Sequence, residues 1–207
     1  MCPRLAKLLS IFLWLSVFPV AGCGTIHPEV ANLGDVSSDT VVVVGRIELV
    51  PPMKSGEQVL RIGTFDPFGV ADKLRDRAVF HLAKEPKAAE ETWEVINPRL
   101  GETFYFRIPK DKRFVVLGTI TTSYVTRTVS QRQVVNDVTE ILLPRMEFEI
   151  TPADKAIYVG TLRFHRDEFN EVTKAEILDH YAGAAAEFTK KFGNGAALRK
   201  AIAKPLK

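Results

Sequence analysis

Cysteine is scarce in this chain, and histidine never clusters. Two Cys stand in 207 residues, too few for a disulfide-stapled scaffold. The four His are isolated at 27, 81, 165 and 180, and no H-E-x-x-H occurs. The phosphate-cradling patterns G-x-x-x-x-G-K-[ST] and G-x-G-x-x-G are absent, as is the G-x-S-x-G elbow of serine hydrolases. Charge of one sign is not in excess. Lys and Arg number 28 against 25 Asp and Glu, for a net charge of +3, which is too small for a nucleic-acid binder that works by bulk charge. No cofactor, no metal site and no nucleic-acid partner are therefore expected. Thirteen Gly and twelve Pro rule out a collagen-like chain. Long apolar runs are missing too: Leu8–Val20 is interrupted by Ser10, Ser16 and Pro19 and falls short of the roughly 20 residues that span a membrane.

What is present is the balance of a packed domain. Hydrophobic residues make up 46% and charged residues 26%, which fits one globular domain with appendages rather than a disordered or polytopic chain.

The N-terminus carries the most specific pattern. Met1–Lys7 is basic, with Arg4 and Lys7 and no acid, and Leu8–Val20 has the length of a signal-peptide core. Val20-Ala21-Gly22-Cys23 follows: an aliphatic residue, two small residues and a thiol. This run resembles the lipobox of bacterial lipoproteins. The resemblance implies cleavage between Gly22 and Cys23, a diacylglyceryl thioether on the Cys23 sulfur and acylation of the new amine. Gly24 stands where an Asp favours inner-membrane retention in enteric bacteria, so the resemblance points to the outer membrane, facing the periplasm. A secretory signal cleaved elsewhere and a buried N-terminal helix with a chance Cys are the other readings. Under the lipoprotein reading Cys2 leaves with the signal, and the only mature Cys is lipid-blocked. Arg4 and Lys7 leave as well, which takes the side-chain balance to +1. Residues 24–38 show no sustained periodicity and read as a tether that reaches up to about 50 Å when extended, the alternative being that part of the segment packs along the domain.

The body reads as mainly β. Val41–Val44 is a run of β-branched residues suited to a strand covered on both faces, and Pro51-Pro52 ends it. Gln58–Phe65 and Arg77–Ala83 are further strand candidates, with a helical turn near Ala71–Arg75. Phe104, Phe106 and Ile108 share one parity, and Phe114, Val116 and Ile120 share another. Across the turn Pro109–Lys112 these two predict a hairpin. Met146, Phe148 and Ile150 alternate with charges. Ile157–Phe164 and Val172–Leu178 predict a second hairpin around Arg166–Asn170. One helix is expected, N-capped by Asp179, with Tyr181, Ala184, Ala185, Phe188 and Phe192 on one face and Gly193 as its stop.

Eight to ten short strands and one C-terminal helix packed on them suggest a β-sandwich. Glu102–Pro109, Phe114–Leu117 and Ile157–Gly160 resemble strands of the Greek-key sandwiches in transthyretin-like and carboxypeptidase-regulatory-like domains. The expected organisation is a signal at 1–22, a lipidated tether at 23–38, a sandwich with its helix at 39–193 and a basic tail at 194–207.

Candidate sites are few. Tyr124, Arg127 and Arg132 lie in a Thr/Ser-rich stretch, Thr119–Gln133, that reads either as an ordinary strand running into an exposed loop or as a long polar strand offering an edge to a partner. His165, Asp167 and Glu168 are the one cluster able to support acid/base or metal chemistry, but a solvated hairpin loop, where charged residues belong, is the favoured reading of them. The expected function is a membrane-anchored periplasmic binding or assembly module, without catalysis, that engages an envelope protein or cell-wall polymer. An enzyme or small-ligand carrier built around His165, Asp167 and Glu168 is the alternative.

Overall fold

The computed structural model describes residues 25–53, 77–85, 94–129, 132–142, 145–168 and 171–206, with backbone alone over 114–142. The lipobox, the strand expected at Gln58–Phe65 and the turn near Ala71–Arg75 lie outside these residues.

Among the described residues the chain is mainly β, in two sheets, the first with mixed and the second with antiparallel strand pairs, and with one α-helix. The first sheet has the order β10-β8-β1-β4, from Arg199–Lys200, Ala156–Arg166, Thr40–Val50 and Thr103–Pro109; β9, Val172–Leu178, also pairs with β8. The second has the order β11-β7-β5-β2-β3, from Lys204–Pro205, Met146–Glu147, Phe114–Val129, Ala78–Ala83 and Val95–Ile96; β6, Arg132–Leu142, also pairs with β5. The pairs β1–β8 and β10–β8 are parallel, and the other strand pairs are antiparallel.

The valine run behaves as its composition demands. Val41 and Val43 face the second sheet, where they join Ile47, Phe80, Phe106 and Phe164 in the main core. Val42 and Val44 face the other way and join Tyr105, Tyr158, Ala184 and Phe188 beneath the helix. Helix α1, Tyr181–Phe192, buries Ala184 and Phe188 and leaves Tyr181 and Phe192 half-buried. Its aromatic rings interlock with the sheet: Phe192 meets Tyr105 edge-on at 5.5 Å, and Tyr181 lies 5.8 Å from Tyr158. Asp179 Oδ1 accepts from the Tyr181 amide at 3.1 Å. The cap position itself belongs to His180, one residue later than expected. Gly193 stops the helix at φ 88°.

Strands at Arg77–Ala83 and the second hairpin, β8–β9, form as expected. The first hairpin does not. β4 pairs with β1 in one sheet, whereas β5 pairs with β2 in the other. Residues 109–113 thus carry the chain across the core. β4 is buried on both faces, with Phe104, Phe106 and Ile108 in the main core and Tyr105 beneath the helix.

Register also shifts within β8. Val44 aligns with Tyr158 and Gly45 with Gly160, so β8 holds one extra residue. This bulge turns the inward set from Ile157 and Val159 to Leu162 and Phe164. Gly160 takes φ +112°, and a Cβ on Gly45 would stand 2.6 Å from Phe104 Cζ and 2.9 Å from the Gly160 carbonyl. Gly45→Val is therefore expected to cost about 3 kcal/mol, read as a lowered urea midpoint with unchanged slope.

Candidate functional site

Both ends of the described chain are bound into the sheets. In the segment read as a tether, Thr25 O accepts from the Val95 amide at 2.9 Å and the His27 amide donates to Val95 O at 2.9 Å. The Val30 amide then reaches Tyr105 O at 2.7 Å. This arm closes one side of the molecule by passing from β3 in one sheet to β4 in the other. The tail expected at 194–207 closes the opposite side, from β10 on β8 to β11 on β7. Between them Ala201 and Ala203 are buried and donate to Tyr158 O and Val159 O at 2.9 and 2.8 Å.

His27, in the segment read as a tether, is buried. Its Nε2 lies 3.2 Å from Glu94 Oε2, and the buried Lys112 Nζ lies 2.9 Å from Glu94 Oε1. Burial works against the Glu94 charge, but hydrogen bonds from Lys112 and His27 outweigh it and hold its pKa below the usual carboxylate range. Sequence reasoning missed this trio because its members lie far apart in the chain. Its chemistry is that of a clasp: it fixes the N-terminal arm to β3 and the β4–β5 connection.

His165, Asp167 and Glu168 do not converge. His165 points from the outer face of β8 to Glu176 Oε2 on β9, at 2.9 Å. Glu176 also pairs with Lys174, whose hydrogen bond, with that of His165, brings its pKa down to about 2. Asp167 closes the β8–β9 turn, its Oδ1 accepting from the Glu171 amide at 3.0 Å. Glu168 is exposed beside it. On the same face Arg163 grips Glu48 through Nε and Nη2 at 3.0 and 2.8 Å. His165–Glu176 and Arg163–Glu48 are cross-strand polar pairs on this outer face. No group of three or more His, Cys, Asp or Glu able to hold a metal occurs among the described residues.

The firmest ion pair ties down the tail. Arg199 donates from Nε and Nη2 to the two oxygens of the buried Asp154, at 2.6 and 2.7 Å. The Arg199 hydrogen bonds, aided by Thr151, lower the Asp154 pKa from 3.8 to about 2. A depressed carboxylate stabilises the fold above its ordinary pKa, and the gain is lost as pH falls towards the folded value. At pH 7 the pair contributes on the order of 2 kcal/mol. Asp154→Asn is expected to lose that amount at pH 7. The gap between variant and parent, measured by urea unfolding, should shrink as pH falls from 4 to 2. Beside this pair lies an open groove of about 670 Å³, lined by Leu33, Ala156, Phe192, Leu198 and Arg199 among others.

Tyr124, Arg127 and Arg132 lie on β5 and β6. β5 pairs with β2 only as far as Ile120. Thr121–Val129 goes on with β6 along one edge: Tyr124 opposes Asn136, Arg127 opposes Val134 and Arg132 opposes Val129. The β6 edge of the expected docking strand is thus occupied from within the chain. Its other edge past Ile120 has no ladder partner among the described residues. The backbone shifts register between Val125 and Arg127, a bulge in the middle of this arm. Nine residues past Ile120 correspond to about 30 Å of strand.

Among the described residues no helix is long and apolar enough to cross a membrane. Comparison with protein-family models, with curated proteins and with solved structures returns no match.

Proposed function

We propose that this chain is a lipid-anchored envelope protein, acylated at Cys23, that works by binding rather than by catalysis. The anchor rests on the basic, apolar and Val20-Ala21-Gly22-Cys23 segments in their order. The outer membrane, facing the periplasm, is the compartment that Gly24 favours. The binding role rests chiefly on one observation: past Ile120 the β5–β6 arm leaves a strand edge without a ladder partner among the described residues. Such an edge is suited to adding a strand from an envelope protein. The scattering of His165, Asp167 and Glu168 into separate contacts favours this reading over an enzyme.

We further read the fold as a Greek-key sandwich of the transthyretin-like kind. Its support is the apolar layer between the sheets and the β4–β5 connection that passes from one sheet to the other. The parallel β1–β8 pair is a variation on a purely antiparallel pattern.

Photo-crosslinking residues placed at Tyr124, Arg127 and Arg132 in living cells test the binding role. The expected result is one discrete adduct shared by the three positions, missing from a probe at Lys174 and lost when Cys23 is replaced. Adducts equally frequent at all four positions would count against it.

A further inference from the structure

We propose that the end of the domain carrying Lys84 and Asp111 is seated directly against the lipid headgroups, with no free tether between anchor and body. The proposal rests on the reading of Cys23 as the acylated residue. Its own argument is one of length. Thr25 is already hydrogen-bonded to β3 through its carbonyl, and the next residues are fastened in turn: Ile26 bridges Val95, and His27 is clasped by Glu94. Only Gly24 separates Thr25 from Cys23. Two peptide steps reach at most about 7 Å, against the roughly 50 Å of a free 15-residue tether.

The registers define which surface this is. The Leu82 amide donates to Glu94 O and the Arg113 amide to Ala83 O, so the arm begins beside the ends of β2 and β3 and the start of β5. Lys84 and Asp111 pair there, both half or more exposed. Lys112 and Glu94 balance one another next to them. Chain length rather than charge is what places this end at the headgroups. Ile26 adds an apolar side chain, 52% exposed, beside the anchor; an exposed isoleucine at a lipid interface loses its unfavourable contact with water. Glu168 lies at the opposite end, next to β8 residues level with Val50. The ten steps of β1 put it about 33 Å away, and the β5–β6 arm continues past that end.

The test uses the full, lipidated protein in vesicles that carry a headgroup-bound fluorescence quencher. The mature chain has no free thiol once Cys23 is acylated, so a single cysteine takes one fluorophore. Lys84→Cys, Asp111→Cys and Glu168→Cys are labelled in turn. Quenching at 84 and 111 is expected to exceed that at 168 by about threefold or more. Ten Gly/Ser residues inserted after Gly24 should bring all three to the low value while the protein still floats with the vesicles. Equal quenching at all three positions in the parent, or no effect of the insertion, would overturn the seating and leave the anchor standing. A protein whose Cys23 is unmodified by mass would remove the anchor, and the seating with it.

Discussion

Removing residues 198–207 is expected to unfold the domain at room temperature or bring it to the edge of unfolding. The segment expected to be a basic tail completes both sheets with its backbone. The truncation deletes the buried Ala201 and Ala203, their hydrogen bonds to Tyr158 and Val159, and the partly buried Leu198 and Ile202. It also strips Arg199 from the buried Asp154, which leaves a carboxylate in the fold with its principal partner gone. Together these losses amount to about 5 kcal/mol or more, a large share of the whole stability of an ordinary domain. Lys204→Gln separates burial from charge. Lys204 is exposed, so its neutralisation should stay within about 0.5 kcal/mol. Urea unfolding of the truncated and neutralised proteins side by side checks both outcomes.

Cys23→Ser is expected to have the largest effect on location. A hydroxyl does not take the diacylglyceryl thioether, and cleavage at the lipobox depends on that modification. Two or three acyl chains hold a protein firmly, since each buried CH₂ contributes about 0.8 kcal/mol, whereas one chain binds only marginally. Either the variant keeps its uncleaved signal, or it is released as a soluble body. The anchored mature form should fall to less than about a tenth of the parent level, measured by fractionation together with the mass of each fraction. The folded body should be unaffected, because the first fastened residue is Thr25.

The parts of the fold visible in the sequence are those with an uninterrupted period or an unbroken β-branched run. Phe104, Phe106 and Ile108 alternate cleanly and are buried together; Met146 and Phe148 do likewise. The helical stripe of Tyr181, Ala184, Phe188 and Phe192 lands on the sheet as its spacing requires. Misplaced features share a different cause. The β4–β5 connection is short enough for a hairpin, and local sequence does not distinguish a turn within a sheet from a passage across the core. In β8 the parity changes at Gly160, so a constant alternation fits only half the strand. Ala201-Ile202-Ala203 is too short, and its residues mostly too small, to register as a strand between Lys200 and Lys204. Its burial comes from partners some forty residues away.

The candidate sites divide along the same line. The proposed lipobox is a local, chemical pattern, so four adjacent residues suffice to suggest it. His27, Glu94 and Lys112 form a clasp only when a fold brings them together, across 67 residues between the first two. His165, Asp167 and Glu168 look like a cluster because they are adjacent in the chain. On a strand, neighbouring side chains point to opposite faces, and a turn spends its Asp on its own backbone. Here His165 turns to Glu176, while Asp167 accepts from Glu171.

The central claim is the lipid anchor at Cys23, and intact-mass measurement of the mature protein purified from membranes tests it most directly. The account predicts a chain that begins at Cys23 and carries the mass of a diacylglyceryl group, with or without an amide-linked acyl chain. An unmodified chain that begins at Met1 would contradict it.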